Sequence, residues 1–344
     1  MKLHLLIPGL FWPETNRTET YSDLSLPSLE KILAKSHATE HHPQAVEEWL
    51  CQAFSVPKQQ DWPVAPIMLH IDGTDEDRAQ NEYWLRADPV HLRIENNHIL
   101  LADSQVFTIS LKESLQFAET LNQYFNKNDI FFLPLQPDRW YIRLAKVPGL
   151  QTRLLSEIAG KNINNLLPVG EDSPIWHSIF NEIQMLLHEH QLNQERAARG
   201  ELAINSIWFW GGGVMPRIMR SAYNQVWSDN TFAHALAVAS GVTHCSLPQG
   251  AMVWQQAVES DNHLVILDTL QGKTLYRNIY EWRKCLYALE HDWFTPLLEA
   301  VKQGKITQLT ITALNDHDMK NFVMTQRSSW KFWVRTKPLS SYAK

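Results

Sequence analysis

The sequence has few of the residues and runs that mark secreted, membrane-spanning or nucleic-acid-binding proteins. Only three cysteines occur in 344 residues, Cys51, Cys245 and Cys285, and they lie too far apart for a disulfide framework or a CxxC zinc site. No run of about 18 apolar residues is present, which argues against a membrane-spanning helix. The net charge is −6, whereas nucleic-acid-binding proteins present basic surfaces. We therefore expect a reduced, cytoplasmic protein with neither a nucleic-acid nor a membrane partner.

Several catalytic motifs are also missing. The chain has no Gly-x-Ser-x-Gly turn for a nucleophilic serine, no P-loop lysine, no GxGxxG phosphate loop and no HExxH zinc helix. His188 and His190 flank Glu189, but residues two apart on a helix do not face each other. Surface or capping roles are therefore favoured for these two histidines over a shared metal ion.

Helical and strand-like runs alternate along the chain, which predicts an α/β fold with a mostly parallel sheet. Strands are predicted at Leu3–Ile7, Ile67–Ile71, Ile130–Leu133, Trp140–Leu144, Ile204–Trp210, Leu264–Leu267 and Gln308–Thr312. Helices are predicted near Pro27, at Gln44–Phe54, at Leu111–Phe125, from Ser173-Pro174 onward, at Asp229–Ser240 and over roughly Tyr280–Gln303. The Ser110 and Glu113 capping box and Gly241 give the sharpest helix boundaries. The rest of the polar stretch Lys58–Asp77 is predicted to be irregular.

Three consecutive glycines, Gly211, Gly212 and Gly213, follow the apolar strand Ile204–Trp210, although the whole chain has only 13 glycines. A strand ending in glycines allows backbone amides to approach a ligand closely, and ligands of α/β proteins bind at strand ends. A tight turn beside a pocket and a simple packing turn are equally compatible with this pattern.

Two further groups of residues suggest a site. Arg86, Asp88 and His91 lie close together, and Pro89 favours an extended backbone at Asp88; this arrangement suits a phosphate or carboxylate ligand as well as a structural ion pair. A second group, Asp268 and the pair Asp316-His317, follows two apolar strands. Acidic and imidazole side chains in that position are candidates for metal or catalytic roles, and acidic loop caps are the alternative.

The segment Arg327 to Lys344 is mildly basic and contains Trp330, Phe332 and Trp333. We interpret it as a docking strand or tail in preference to an arm that binds nucleic acid.

Seven residues of the glycine-rich region resemble the archaeal-type cofactor-independent phosphoglycerate mutases of the alkaline phosphatase superfamily. They are His190, Asn193, Arg196, Gly200, Asn205, Gly211 and Gly213, and they match the family's spacing without a gap. Arg86-Ala87-Asp88, Leu26-Pro27-Ser28-Leu29 and Asp316-His317 resemble other family segments in the same order. The chain is also similar to proteobacterial proteins labelled RpfE-type regulatory proteins or phosphoglycerate mutases.

The chain departs from this family at the residues that carry its chemistry. The family's first strand ends in a metal-binding Asp, where this chain has Pro8-Gly9, and Trp210 stands in place of an Arg before the glycines. No Gly-Ser-Asp nucleophile motif lies between Ser36 and Phe54, and no His follows Asp268 at the spacing of the metal motif. Phosphoryl transfer in this superfamily needs two metals and an activated nucleophile.

The resemblance implies a three-layer α/β core like that of alkaline phosphatase, formed by residues 1–102 and 169–344, with residues 103–168 as a reduced or inserted cap. The main hypothesis is a phosphomutase-like protein that has lost its two-metal site and acts in regulation, with no cofactor, binding an anionic or phosphorylated small molecule or a protein partner. The expected ligand-binding residues are Arg86, Asp88, His91, His190, Asn193, Arg196, Asn205, Gly211, Gly212 and Gly213.

Two alternatives remain open from the sequence. One is an active phosphomutase or phosphatase that holds Mn, Zn or Mg through rearranged ligands including Asp268, Asp316 and His317. The weaker one is a structural protein that uses some of its 14 tryptophans as a docking surface.

Overall fold

A computed structural model describes residues 1–14, 18–74, 82–95, 98–126, 130–258 and 261–343. The chain divides into two compact units. The first unit contains residues 1–49 and 221–344, and the second unit is the continuous segment 50–220. The predicted cap, residues 103–168, falls inside the second unit, which also takes in residues 50–102 and 169–220.

Strands supply one sheet to each unit. In chain order they are β1 (Lys2–Pro8), β2 (His37–His41), β3 (Tyr83–Glu95), β4 (His98–Ala102), β5 (Phe132–Gln136), β6 (Arg139–Leu144), β7 (Ser206–Gly213), β8 (Gln225–Trp227), β9 (Thr243–Cys245), β10 (Asn262–Ile266), β11 (Gln308–Leu314) and β12 (Met319–Thr325).

Helices connect most of these strands. In chain order they are α1 (Pro27–Lys35), α2 (Val46–Ala53), α3 (Val64–Asp72), α4 (Leu111–Phe125), α5 (Leu155–Ile158), α6 (Ser173–His188), α7 (Gln191–Ala198), α8 (Thr231–Ser240), α9 (Ala251–Ala257), α10 (Gln271–Leu275), α11 (Ile279–Leu289), α12 (Thr295–Lys302) and α13 (Gln326–Ser329). A π-helical turn, Glu290–Phe294, joins α11 to α12, and short 3₁₀ turns lie at Thr18–Tyr21 and Leu339–Ser341.

The first unit is built on a seven-stranded sheet in the order β2-β12-β11-β1-β10-β8-β9. The strands from β11 to β9 are parallel, and β12 and β2 continue the sheet in antiparallel orientation. Leu5, Val265 and Ile311 project from one face into a core shared with helices α1, α11 and α12. This arrangement confirms the predicted α/β core with a mostly parallel sheet.

Helix α1 begins without a capping side chain of its own, because Leu26 occupies the N-cap position. The buried carboxylate of Glu290 in the π-helical turn replaces that cap: its Oε1 accepts from Ser28 N at 2.6 Å and its Oε2 accepts from Leu29 N at 3.0 Å. A carboxylate at a helix N-terminus satisfies free amides and interacts favourably with the helix dipole. The start of α1 is therefore fixed by a residue more than 260 positions away in the chain.

The second unit contains an antiparallel sheet in the order β4-β3-β6-β5, with β7 also paired to β3. Leu85, Phe132, Trp140 and Phe209 project from one face into a core that also receives buried side chains of α4 and α6. The capping box of Ser110 and Glu113 starts α4 at the predicted residue, so that prediction is confirmed.

Two predictions about strands are wrong. The run Ile67–Ile71 is part of helix α3, whose almost uniformly apolar sequence has no two-residue or helical periodicity to separate the alternatives. Strand β7 overlaps the predicted strand Ile204–Trp210 and is fully buried, but it pairs antiparallel with β3 in the second unit, whereas the sequence predicted a mostly parallel sheet.

The described residues contain no helix that is both long enough and apolar enough to cross a lipid bilayer.

Candidate functional site

The seven residues that matched the family spacing lie in one helix–loop–strand segment of the second unit, and His190 begins it. This residue is the N-cap of α7: its Nδ1 accepts from Leu192 N at 3.2 Å. Its Nε2 lies 3.0 Å from Thr120 Oγ1, and its ring packs against Phe117. Burial lowers the pKa of His190, which favours the neutral form that a capping acceptor requires.

Two asparagine side chains, one in α7 and one directly before β7, form hydrogen bonds with backbone N–H and C=O groups. Asn193 donates from Nδ2 to Leu187 O at 2.6 Å and to Ile204 O at 2.9 Å, and its Oδ1 accepts from Ile204 N at 2.8 Å. Asn205 bonds both backbone groups of Leu92 in the same way, at 2.7 and 2.8 Å. Each amide therefore joins two chain segments through polar groups that would otherwise be buried without partners.

Arg196 is almost completely buried and is held from three sides. Its Nε donates to Leu202 O and its Nη2 to Thr108 O, both at 2.8 Å, while its Nη1 lies 3.1 Å from Glu113 Oε1. Glu113 is also the capping-box residue of α4. One carboxylate thus connects the start of α4 to the end of α7.

Gly211 and Gly213 lie against the start of helix α3, and Gly212 lies against strand β3. A Cβ atom at Gly211 would stand 2.9 Å from Val64 Cβ, and one at Gly213 would stand 2.7 Å from Pro63 Cβ. A Cβ at Gly212 would meet the hydroxyl of Tyr83 at 2.3 Å. In the structure the close approach that these glycines permit is therefore taken up by protein atoms, which corresponds to the packing-turn interpretation.

Arg86 and Asp88 form a buried ion pair on β3. The guanidinium Nε and Nη2 donate to Asp88 Oδ1 at 3.0 and 2.8 Å, and Nη2 also lies 2.7 Å from Oδ2. Asp88 accepts two more hydrogen bonds, from Trp140 N at 3.0 Å and from Trp210 Nε1 at 2.7 Å. Burial raises the pKa of Asp88, and Arg86 and Trp210 oppose that shift.

The rings of Tyr141 and Trp210 lie on the guanidinium of Arg86, with centroids 5.0 and 5.1 Å from its carbon. The Tyr141 hydroxyl donates to Asp72 Oδ2 at 2.7 Å, and Arg139 binds both oxygens of Asp72 at 2.7 Å. Trp210, which stands where the related family has an Arg, thus provides both a donor to Asp88 and a ring against Arg86.

The remaining member of this group, His91, is half-buried and lies 2.8 Å from Ala203 O through its Nδ1. Together the ten predicted ligand-binding residues contact the protein itself through short helix caps, loop clamps and ion pairs. The structure brings Arg86 and Asp88 together, and it connects the strand that bears His91 to Asn205. Their role toward a ligand remains a prediction.

At the carboxyl edge of the parallel sheet, in the first unit, strand β1 ends in Pro8 and is followed by Gly9. Gly9 has a left-handed φ of 73°, and a Cβ there would lie 2.6 Å from Thr274 Oγ1. Its N donates to Leu314 O at 2.8 Å, and its O accepts from Trp282 Nε1 at 2.9 Å. The end of β1 is therefore closed by backbone contacts and offers no side-chain ligand.

Asp268 follows β10 at the same edge and accepts from Asn230 Nδ2 at 3.2 Å. Asn230 is also the N-cap of α8, where its Oδ1 accepts from Ala233 N at 3.0 Å. Burial raises the pKa of Asp268, partly opposed by Asn230.

Asp316 and His317 follow β11, and both are exposed. Asp316 Oδ2 lies 3.8 Å from Nη2 of Arg277, and Nε of that arginine lies 3.9 Å from Glu14 Oε1. Arg277 has an unusual positive φ of 55°, and no sequence motif pointed to it. In the portion of the chain that the structure describes, no three His, Cys, Asp or Glu side chains are grouped so that they could hold a metal ion.

A second feature without a sequence signal is a chain of hydrogen bonds through His4 of β1. Thr312 Oγ1 donates to Asn321 Oδ1 at 2.6 Å, so its oxygen accepts from His4 Nε2 at 2.7 Å. His4 Nδ1 then accepts from the Tyr223 hydroxyl at 2.7 Å. Burial lowers the pKa of His4 to about 4, so the imidazole is neutral near pH 7.

Sequence comparison relates this chain to phosphoglycerate mutases over part of its length. It is 29% identical over 138 residues to the 2,3-bisphosphoglycerate-independent phosphoglycerate mutase of Methanosarcina mazei, covering 39% of this chain and 35% of that protein. It is 25% identical over 163 residues to a probable enzyme of the same name from Geobacter sulfurreducens, covering 47% and 40%. No family model matches the chain. The chain is thus phosphoglycerate mutase-like, while the aligned part is 40% or less of either relative.

Structural comparison extends over nearly the whole chain. The PH0037 protein from Pyrococcus horikoshii matches with a TM-score of 0.52 and 12% identity, covering 98% of this chain and 89% of that one. A cofactor-independent phosphoglycerate mutase from Thermoplasma acidophilum matches with a TM-score of 0.48 and 13% identity, covering 99% and 94%. The similarity to the first of these supports the fold.

Proposed function

We propose that this chain is a phosphoglycerate mutase-like protein that does not carry out two-metal phosphoryl transfer and instead binds a small molecule or a protein partner in a regulatory role. The observation that carries the proposal is the closed end of β1. There Pro8 has no ligating group, and Gly9 is packed so closely against Thr274 that no side chain fits.

The neighbouring groups at this edge support the same proposal. Asp268 is bonded to the amide that caps α8, and the guanidinium of Arg277 lies next to Asp316 and Glu14. The cation of Arg277 beside Asp316 and Glu14 opposes the binding of a second positive charge there. Divalent ions of the kind used in phosphoryl transfer need several oxygen or nitrogen ligands that converge on one point.

On this proposal the spacing around His190 and Arg196 that resembles the family needs no catalytic explanation. His190 caps α7 and Arg196 holds the loop between α7 and β7, so both residues stabilise the local fold of this segment. An anionic ligand that used Arg86 or Arg196 would have to replace their present carboxylate and carbonyl partners, which are buried and well oriented. Binding at a more exposed position is therefore the better-supported form of the hypothesis.

The proposal is tested by measuring the conversion of 3-phosphoglycerate to 2-phosphoglycerate by the full chain with Mg²⁺, Mn²⁺ or Zn²⁺ added separately. The Methanosarcina mazei relative serves as the positive control. We expect no turnover above the protein-free blank and less than one equivalent of metal per chain by elemental analysis. Metal-dependent turnover would contradict the proposal.

A thermal-shift screen of phosphorylated metabolites addresses the binding part. A ligand at about 100 times its Kd stabilises a folded protein by about 2.7 kcal/mol, which is large enough to raise the melting temperature measurably. A ligand that raises the melting temperature of the full chain without being turned over would support the regulatory role.

The alternative is an active phosphomutase or phosphatase with rearranged metal ligands, and the names of the relatives favour it. It requires Asp268 and Asp316 to share in metal binding. If turnover is found, Asp268→Asn and Asp316→Asn should each lower it at least tenfold, whereas Asp318→Asn, an adjacent carboxylate paired with Lys320, should lower it much less. Unchanged activity in the first two variants would exclude these ligands.

A further inference from the structure

The loop from Trp330 to Pro338, called here the aromatic loop, combines strong exposure with fixed ends. Trp330, Phe332 and Trp333 are 70%, 89% and 68% exposed. Three large aromatic side chains within four residues are rarely left in water, because each loses the free energy of burial that it could gain elsewhere. An exposed apolar cluster of this kind marks a contact with something outside the chain.

The aromatic loop is held in place at both ends, whereas the sequence suggested a docking strand or tail. Before it, Lys35 Nζ donates to the carbonyl of the buried Ser329. After it, the buried Leu339 donates through its N to Glu30 Oε1 at 3.1 Å. Both anchors are on helix α1. The loop therefore presents its aromatic side chains from a defined position of the first unit.

Short backbone contacts order the loop between these anchors. Lys331 N donates to Ser328 O at 3.2 Å, and Phe332 N donates to Trp330 O at 2.7 Å. The rings of Phe332 and Trp333 pack edge to face, with centroids 5.1 Å apart. This internal order lowers the entropy that the loop would lose on binding.

Positive charge surrounds the aromatic side chains. Arg327, Arg335 and Lys337 are exposed and Lys331 is half-buried. Residues 319–344 contain six Lys or Arg and no Asp or Glu, which gives this segment a formal charge of +6. Because the whole chain has a net charge of −6, residues 1–318 have a net charge of −12. The partner of this surface should therefore be anionic, and the acidic remainder of the chain would be repelled by it.

We propose that the aromatic loop binds the surface of an anionic phospholipid membrane. Tryptophan and phenylalanine side chains insert at the boundary between headgroups and acyl chains, and nearby lysine and arginine side chains are attracted to anionic headgroups. Side chains that are 68–89% exposed line no groove. A nucleic acid would need a groove in which its bases stack, and the core of a protein interface needs closely fitting pockets. A bilayer surface deforms around a projecting side chain and needs neither.

The proposal is independent of the proposed function, and it departs from the expectation that the chain has no membrane partner. That expectation was based on the lack of an apolar run long enough to span a bilayer, and a peripheral contact needs no such run. Membrane binding through the loop would recruit a regulatory protein to a membrane surface, whether or not the first unit also binds a small molecule.

The test is sedimentation of the full chain with vesicles of phosphatidylcholine alone or with about 30% phosphatidylserine. We expect binding to the anionic vesicles, weak binding to the neutral ones, and a large loss of binding between about 0.1 M and 0.5 M salt, because screening shortens the reach of the charges. No sedimentation with anionic vesicles at low salt would overturn the proposal.

Two variants separate the contributions of the two kinds of side chain. Phe332→Ser/Trp333→Ser should weaken binding to anionic vesicles at least tenfold, and Lys331→Gln/Arg335→Gln should weaken it about 25-fold, at roughly fivefold per cation. Tyr280→Ser is the matched control, because Tyr280 is a 74% exposed aromatic residue of the same unit outside the loop; it should bind as the unaltered chain does.

The four residues changed in the two double variants are exposed or half-buried, so the circular dichroism spectrum and the melting temperature should be unchanged. Equal vesicle binding by the aromatic variant and the unaltered chain would overturn the proposal. So would a dimer, or a complex with a single-stranded oligonucleotide, that is lost in the variants while vesicle binding is absent.

Discussion

At the scale of single residues, strand β3 carries two Arg-x-acid pairs with the same spacing and opposite surroundings. Arg86 and Asp88 are 4% and 2% exposed, and two tryptophan N–H groups complete the ring of donors around Asp88. Arg93 and Glu95 form an ion pair in solvent, with side chains 67% and 40% exposed. The sequence shows the same motif twice, and only burial separates a structural ion pair from a surface pair.

Arg86→Met should destabilise the protein by about 3–5 kcal/mol, because it leaves the Asp88 carboxylate buried without its cation. Urea unfolding at pH 7 measures the free energy of unfolding. Arg93→Met, on the same strand, should cost less than about 1 kcal/mol, since exposed ion pairs contribute little. Similar losses in the two variants would show that the ion pair of Arg86 has no special structural role.

His4 makes the stability of the folded protein depend on pH, in the same direction as a carboxylate whose pKa is lowered by folding. Its pKa is lowered to about 4 in the folded protein from the usual 6.5, so the folded state binds fewer protons than the unfolded state between these values. The stabilisation is complete above pH 6.5 and is lost as the pH falls toward 4.

The contribution of His4 should decrease by about 2 kcal/mol between pH 7 and pH 5, at 1.36 kcal/mol per pKa unit. His4→Gln should therefore unfold with a smaller change in free energy over this range than the unaltered chain. His37→Gln serves as the control, because His37 is exposed on the edge strand β2. A pH profile of His4→Gln that parallels that of the unaltered chain would contradict this assignment.

At the scale of elements, the sequences of helix α3 and strand β7 are matched to their close packing against each other. The helix is apolar on nearly all sides, and six consecutive residues from Val64 to Leu69 are buried. Two glycines of β7, Gly211 and Gly213, allow the start of the helix to approach the strand to contact distance. These glycines therefore permit a helix to pack closely on the strand, and a role of the glycine run toward a ligand stays a prediction.

Gly211→Ala and Gly200→Ala separate the effects of packing and backbone conformation. Both glycines have positive φ, 66° and 73°, but a Cβ at Gly200 meets nothing within 4 Å, whereas one at Gly211 meets Val64 at 2.9 Å. Gly200→Ala should cost about 1–2 kcal/mol from backbone strain alone. Gly211→Ala should cost roughly 1–3 kcal/mol more because of overpacking. Equal losses in urea unfolding would mean that α3 moves away freely.

At the scale of the whole molecule, the two units differ in how the chain forms them. The second unit is one continuous segment with its own sheet and core, and the first unit is assembled from residues on both sides of it. A continuous segment with a complete core can fold by itself when its sheet contains all of its strands.

A fragment of residues 50–220 should therefore unfold cooperatively by circular dichroism and give dispersed amide signals in NMR spectra. A fragment of residues 103–168, the boundaries suggested by the sequence, lacks β3 and β7 and should remain unfolded, because β5 and β6 would lose the strand on which the sheet is built. A folded 103–168 fragment would support the boundaries that the sequence suggested.

The sequence by itself determined the elements whose signals lie within a few residues. The capping box at Ser110, the start of α6 near Pro174 and the end of α8 at Gly241 all occur where they were predicted, because each depends on local hydrogen bonds and backbone geometry. The strong burial of β1, β10 and β11 also follows from their apolar runs, and the alternation of elements was sufficient to predict a parallel sheet.

Only the tertiary structure decided what the candidate site residues contact. Two acceptors of Arg196, on Thr108 and Glu113, lie more than 80 residues away in the chain. The packing partner of Gly211 and the carboxylate that caps α1 are likewise distant in sequence. Local pattern cannot specify such pairs, because they depend on which strands become neighbours and on which polar groups are buried together. For the same reason, the sequence identified the residues of a phosphoglycerate mutase-like frame, and the fold was needed to show that these residues hold the protein together.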